Sequence, residues 1–325
     1  VLSLKVAVLM GGMSAEREVS MNTGMAVAEA LRRLGHDVFE IDVGKDLPGV
    51  LSRGKPDVAF VALHGRGGED GSVQGLLEIM RIPYTGSGIL ASAVTMDKVL
   101  TKKVLRFNGI PVADGVVVNE GDIYEDAASK VSRELSYPVM VKPVMEGSSI
   151  AVTEVREHAG LKDALDTVFK IDNRALVEKY IKGRLLTVGI LGGEPMVLPV
   201  VEIKTRKGFY DYRAKYQPGF TEYEVPARLS EELTRSAQDI SLRTFEYLDC
   251  EGVSRVDLML EDKTESLFVL EINTIPGMTA MSLLPKAANA AGITFEEVVA
   301  SILKGAGLKI DLEDYGGAEK TQTPS

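Results

Sequence analysis

No stretch limits the fold more tightly than residues 253–279. They read Val253-Ser-Arg-Val-Asp-Leu-Met-Leu260, a short polar loop, then Leu267-Phe-Val-Leu-Glu-Ile-Asn-Thr-Ile-Pro-Gly-Met-Thr279. Two apolar runs around a polar loop predict a β-hairpin. A period of two puts Val256, Leu258 and Leu260 on one face of the first strand. It puts Phe268, Leu270 and Ile272 on one face of the second. Arg255 and Asp257 then share the opposite face, as do Glu271 and Asn273. With the loop centred near Thr264, Asp257 lies across from Glu271. Like charges directly opposite destabilise a sheet, and a cation between them reverses that. Two carboxylates and an amide oxygen are hard ligands that suit Mg2+. The same residues also suit the solvated outer face of an ordinary hairpin. Pro276 and Gly277 stop the second strand and leave backbone N–H groups beside the polar face.

The 325 residues exceed what one small core needs and imply two or three domains. The formal net charge is -10, and no lysine or arginine cluster offsets it, which argues against a nucleic-acid partner. A single cysteine, Cys250, excludes a disulfide framework and fits a small buried residue in a reducing compartment. No run is apolar enough to span a bilayer and the N-terminus lacks a signal-peptide plan, so no membrane partner and a cytoplasmic location are expected.

The N-terminal third alternates strand, glycine turn and helix, which predicts a parallel sheet with crossover helices. Residues 5–10 form a buried strand that runs into Gly11-Gly12-Met-Ser-Ala-Glu-Arg-Glu-Val-Ser20. Val27, Ala30, Leu31 and Leu34 follow at helical spacing. Strands over 38–43 and 57–63 come next, the latter ending in His64-Gly-Arg-Gly-Gly-Glu-Asp-Gly71. Ligands of such sheets sit at the strands' carboxyl ends, where both glycine turns lie. Neither turn is a dinucleotide fingerprint or a P-loop. Glu16 suits either a substrate ammonium or a surface position near a helix start. His64, between strand and glycine turn, is a functional candidate, whereas His36 and His158 read as surface or helix-end residues.

In the middle third, Met96-Asp-Lys98 opens a helix, and 137–143 is a strand carrying Lys142. The loop Met145-Glu-Gly-Ser-Ser-Ile150 and a strand over 151–155 complete a hairpin. Its small-residue tip suits a triphosphate held by N–H groups and hydroxyls, although most such tips are only turns. Lys142 suits a phosphate as a point charge. The strand over 175–181 exposes Glu178 and Tyr180 on one side. In the last third, 185–191 and 196–203 read as strands, 209–216 as a polar loop over the site, and 231–248 as a helix. Ser282 suits an N-cap and an anion site at the next helix start.

Eight ordered motifs resemble the D-alanine–D-alanine ligase family of ATP-grasp enzymes. They are 11–20, 63–71, Tyr84-Thr-Gly-Ser87, Met96-Asp-Lys98, Val141-Lys-Pro143, Glu146-Gly-Ser-Ser149, Phe209-Tyr-Asp-Tyr-Arg-Ala-Lys-Tyr216 and 271–279. The resemblance is collinear from about residue 5 to 308. It implies an α/β fold of three-domain ATP-grasp architecture, with an N-terminal parallel open sheet and two α+β subdomains enclosing ATP. The expected boundaries are 1–97, 98–182 and 183–308, the last with the metal site, and 309–325 as a disordered tail.

The same resemblance implies site roles. Lys98, Lys142 and Ser149 would bind phosphates, with Lys215 near the γ-phosphate and the substrate. Glu178 and the backbone from Lys179 would hold adenine. Asp257, Glu271 and Asn273 would bind two Mg2+, or Mn2+. Glu16 would hold the first D-alanine's ammonium, linked to Ser148 and Tyr216, with His64 beside the substrate. Arg255 and the Gly277 N–H would face the reacting carboxyl. Ser282 and the Leu283 N–H would take the second carboxylate. A tyrosine at 216 goes with an amine rather than D-lactate as second substrate. The family is often dimeric, so a homodimer is expected. Three positions depart from the family: Leu185 replaces a ribose-binding glutamate, Ala151 a glycine of the hairpin tip, and Ser254 the glycine before the arginine. A ligase for another D-amino acid, or a nucleotide-binding protein without catalysis, therefore stays open.

Overall fold

The computed structural model describes residues 3–205 and 220–310. Three sheets organise them. In the first, β1 (Lys5–Met10) runs parallel between β2 (Asp37–Asp42) and β3 (Val58–Val61). Helix α1 (Arg17–Arg33) buries Val27, Ala28 and Leu31 against Val6 and Val8. Neighbouring parallel strands end together, so the turns after β1 and β3 meet. There Ser14 Oγ donates to His64 O at 2.7 Å. Gly11 and Gly12 turn at φ +75° and +82°, a region that costs other residues a steric clash. The 84–87 turn also extends the sheet: Tyr84 bridges Ala59 on one side and Gly307 on the other. Helices α2 (Leu47–Gly54), α3 (Ser72–Ile79) and α4 (Ile89–Met96) complete this part.

Beyond α5 (Lys98–Phe107), the central sheet is antiparallel. It comprises β4 (Gly115–Asn119), β5 (Val139–Pro143), β6 (Thr153–Val155) and β7 (Arg174–Lys179), in the order β4-β7-β5-β6. Helices α6 (Tyr124–Glu134) and α7 (Leu161–Val168) cover one face, where Val116, Val139, Val141, Ala175 and Val177 are buried with Val131 and Leu165. Alternation turns Met140, Lys142, Leu176 and Glu178 to the other face.

The third sheet has the order β11-β10-β8-β12-β13, with β9 on the edge of β8. Its strands are β8 (Gly183–Leu191), β9 (Met196–Val197), β10 (Val201–Thr205), β11 (Thr221–Glu224), β12 (Val253–Glu261) and β13 (Leu267–Asn273). The strand expected over 196–203 is broken, because Pro199 has no N–H for the ladder. Helix α8 (Glu231–Tyr247) packs Phe245 over Leu186, Val188, Val256 and Leu258. Ala91 of α4 and Leu105 of α5 join that same core.

Helix α5 thus packs with the third sheet while its start is tied to the second. Lys98 N donates to Val144 O at 3.2 Å, and Asp97 both caps the helix and pairs with Arg174 at 2.6 Å. Helices α9 (Leu283–Ala290) and α10 (Phe295–Lys304) return to the first unit and share the core of α1. Residues 309 and 310 stay tied down: Lys309 N donates to the buried Glu78 at 2.7 Å, and Lys309 Nζ pairs with Glu251 at 2.8 Å. The rest of the expected tail lies outside the described residues.

The hairpin corrects one expectation. Val256, Leu258 and Leu260 are buried as predicted, and so is Ile272, but in β13 its buried companions are Leu267 and Val269 rather than Phe268 and Leu270. Asp257 pairs with Glu271, yet Leu258 pairs with Val269. That bulge inserts one residue in β13 and reverses its alternation.

Candidate active site

Asp257 and Glu271 stand opposite each other as predicted, with Arg255 opposite Asn273. Asp257 is buried and well held. Arg255 grips it with Nε and Nη2, each at 2.9 Å, and Thr187 Oγ1 donates at 2.5 Å. Glu271 lies 3.8 Å from Lys98 Nζ. Cations thus already offset the repulsion between the two acids. Among the described residues no three His, Cys, Asp or Glu side chains cluster as a metal site. The set here has two acids and an amide. Such a set fits a hard divalent ion that completes its shell with phosphate oxygens and water.

The wall facing this pair carries lysines. Lys98 and Lys102 are one turn apart on α5, so they project from one face. Lys98 Nζ donates to Glu146 O at 2.6 Å. Glu178 is buried between Lys102 Nζ at 2.6 Å and Lys142 Nζ. The strand does not expose Glu178 as expected: α5 covers it. Burial alone would raise the Glu178 pKa, but the two lysines outweigh it and hold the carboxyl below its ordinary range. Burial lowers the pKa of Lys102. Lys179 is exposed at the end of β7, and its N–H is already given to Asp114 O at 2.9 Å.

The hairpin tip reaches back to the first unit. Ser148 Oγ donates to Glu16, and both residues are buried. The chain wraps Glu16 so closely that a Cβ at Gly147 would stand 2.6 Å from its Oε2, and one at Gly65 2.8 Å. At Gly65 the backbone, with φ +70°, also favours glycine. Arg66 pairs with Glu146 at 2.7 Å and secures the tip from outside. Ser148, Ser149 and Ala151 all have left-handed backbone, with φ of 50°, 57° and 54°.

Next to Glu16, Glu69 accepts from Gly65 N at 2.7 Å. Withdrawal from water and the neighbouring Glu16 charge push its pKa up to about 8. Burial, with Arg255 nearby, pulls His64 down to about 4. His64 Nε2 lies 3.1 Å from Thr23 Oγ1, and the ring also bonds the Ile275 backbone. His64 therefore anchors the segment after the hairpin as a neutral ring. Thr23 Oγ1 also accepts from Met278 N at 3.4 Å, in the same segment.

Ser282 precedes α9 without capping it. Its Oγ accepts from Thr279 N at 3.1 Å instead, so a Cβ at Gly277 would stand 2.9 Å from that oxygen. Leu283 is the first residue of α9, and its amide is among the donors that no helical carbonyl takes. Leu185 lies between Ile203 and Met259 across the strands, an apolar strip with no acid at that place. Lys215 and Tyr216 lie outside the described residues. Sequence reasoning missed Lys102, Glu69, Thr187 and Arg66. Glu69 and Arg66 stand inside the quoted 63–71 motif; for Lys102 the only signal was its spacing of four from Lys98.

Two antiparallel sheets, one carrying Lys142 and Glu178 and the other the paired acids, with Lys98 between Glu146 and Glu271 and a small parallel unit beside them, fit the ATP-grasp class. Residues 104–304 match the family described as "D-ala D-ala ligase C-terminus", and 49–87 match "D-ala D-ala ligase N-terminus". The chain belongs to the D-alanine–D-alanine ligase family. It is similar to the D-alanine–D-alanine ligase of Syntrophotalea carbinolica, 50% identical over 94% of this chain and 97% of that one. The crystal structure of the ligase from Bacillus anthracis complexed with ATP superposes with TM-score 0.81 at 35% identity, covering 93% of this chain and 97% of that one. The VanG D-Ala:D-Ser ligase of Enterococcus faecalis gives 0.80 at 29% identity, covering 93% and 99%. No helix among the described residues is long and apolar enough to cross a membrane.

Proposed function

We propose that the chain joins two D-alanine molecules at the expense of ATP, giving D-alanyl-D-alanine, ADP and phosphate for peptidoglycan synthesis in the cytoplasm. One observation carries this reading. Glu16, bound by Ser148, and the Asp257–Glu271 pair, flanked by Lys98, frame one site between the units. An anionic carboxyl is a poor acceptor for an amine. Its oxygen therefore attacks the γ-phosphorus, ADP leaves, and an acyl phosphate forms. The second amine attacks the acyl carbon, and phosphate departs as the amide forms.

In this reading Glu16 holds the first ammonium, and Lys98 and Lys142 take phosphate charge. Arg255 and the Gly277 N–H stabilise the tetrahedral oxyanion, worth about 3 kcal/mol per donor. The 144–152 loop keeps water from the acyl phosphate. Ser282 and the start of α9 take the second carboxylate. Asp257, Glu271 and Asn273 would hold two Mg2+, which when bound neutralise the transferring phosphoryl. Lys215 and Tyr216, outside the described residues, keep the roles that the resemblance implies toward the γ-phosphate and the first amine. The boundaries 1–97, 98–182 and 183–308 are kept as the proposed domain plan. A homodimer is proposed as well, supported by Ile79 and Leu90, exposed on the adjoining helices α3 and α4.

The likeness to a D-Ala:D-Ser ligase favours one second reading, in which the second substrate is another small D-amino acid. A coupled ADP-release assay with D-alanine alone, and with D-alanine plus D-serine, L-alanine or D-lactate, decides. D-alanine alone should suffice. ADP release only with D-serine present would overturn the first reading, and none under any condition would overturn both.

A further inference from the structure

Lys102 is a buried lysine with no place yet in the reaction. It is 7% exposed, Glu178 2% and Lys142 9%, so three charged groups share one dry pocket under α5. Glu178 takes Lys102 on Oε1 at 2.6 Å and Lys142 on Oε2. The Lys102 contact is close but poorly directed for a hydrogen bond, so charge holds it. Lys142 and Glu178 are on neighbouring strands: Lys142 is opposite Leu176, one alternation from Glu178. Lys102 comes from another element, one turn beyond Lys98, whose Nζ faces Glu271.

Two cations on one carboxylate leave the pocket with one positive charge to spare. A phosphate entering beside Lys98 claims it. Lys142 can turn to that phosphate only if Glu178 keeps a counterion, because an unpaired buried carboxylate is strongly unfavourable. We infer that Lys102 is a positioning residue for nucleotide binding: it holds Glu178 so that Lys142 is released to the phosphates. The inference rests on the ATP-dependent reading above. It gives the Glu178 carboxylate a different task from contacting adenine, that of a docking point which Lys142 leaves.

The test measures ADP and ATP binding by calorimetry, and KM against kcat, in Lys102→Met, Lys102→Arg, Glu178→Gln and the double variant Lys102→Met/Glu178→Gln. In Lys102→Met the carboxylate has only Lys142, so nucleotide affinity should fall at least about tenfold, from a lost buried charge partner. The KM for D-alanine should change far less. Lys102→Arg should restore most of the affinity. The double variant should bind nucleotide as Glu178→Gln does, because without the carboxylate Lys102 has nothing to neutralise. A merely structural lysine would lower the melting temperature without this pattern.

Lys102→Met binding ATP like the wild type overturns the inference. Should Lys102→Met not fold, the double variant against Glu178→Gln still decides: much weaker binding in the double variant also overturns it. The ligase reading fails separately, if the wild type neither binds ATP nor releases ADP with D-alanine.

Discussion

Asp257 and Glu271 are direct cross-strand partners, and each leans on a cation: Arg255 of the same strand grips the first, and Lys98 from α5 stands 3.8 Å from the second. Opposed carboxylates are retained at a cost in sheet stability, which points to a task at this place. Glu271→Gln should lower turnover by on the order of 100-fold or more, as expected for loss of a metal ligand. It should change the melting temperature little, since the repulsion it relieves is offset by the contact with Lys98 that it gives up. Turnover against Mg2+ concentration, with a thermal melt, checks both. Wild-type turnover at low Mg2+ would sink the assignment.

Ser148→Ala removes the hydroxyl that donates to buried Glu16. A hydrogen bond to a charged group contributes about 1.5–3 kcal/mol. The KM for the first D-alanine should rise roughly tenfold or more, with the ATP KM little changed. Equal rises in both would mean the loop holds nucleotide instead.

Leu185 sits in an apolar strip between Ile203 and Met259. If the acid it replaces would have bonded the ribose, Leu185→Glu should tighten ATP roughly tenfold, from ~1.5 kcal/mol. An unchanged dissociation constant would discard this account of position 185.

Ala151 holds φ +54° where the family has glycine. The left-handed region costs an L-residue about 1–2 kcal/mol, while glycine adds about 0.4–1 kcal/mol of unfolded-state entropy. Ala151→Gly should therefore stabilise by up to about 1.6 kcal/mol. Ala151→Val should destabilise, because β-branching worsens the clash. The order Gly, Ala, Val in melting temperature is the check.

Stability should also respond to pH through the Glu16 neighbourhood. Folding raises the Glu69 pKa from 4.5 to about 8, so the folded state holds the extra proton and stability falls as pH rises through that range. Folding lowers His64 from 6.5 to about 4, so its contribution is present above 6.5 and lost as pH falls. The two slopes oppose each other between 4.5 and 6.5. Above 6.5 only the Glu69 slope remains, at most ~1.4 kcal/mol per pH unit. Denaturant unfolding from pH 6.5 to 8 should show the fall, and Glu69→Gln should flatten it. A fall that survives Glu69→Gln assigns it elsewhere.

The facing of Asp257 and Glu271 was legible because a hairpin is local: one loop sets its register, and period two does the rest. The bulge that buries Val269 instead of Leu270 was not, since no residue there marks an extra step in the ladder. Glu178 read as exposed because its own strand alternates. Helix α5, far away in the chain, covers it with Lys102. Ser282 looked like a cap, yet its oxygen turns to Thr279 three residues before it.

By itself the sequence determined what depends on neighbours in the chain: the parallel first unit, the hairpin and its acids, the glycine turns, and the family. The tertiary structure alone decided which charges meet. Glu16 finds Ser148 and the neighbouring Glu69, and Lys102 finds Glu178, because each pairing joins segments whose approach is set by the packing of whole sheets and helices. Burial and charged neighbours together then shift the pKa values of Glu69, Glu178 and Lys102, and both are properties of the assembled fold rather than of any stretch of sequence.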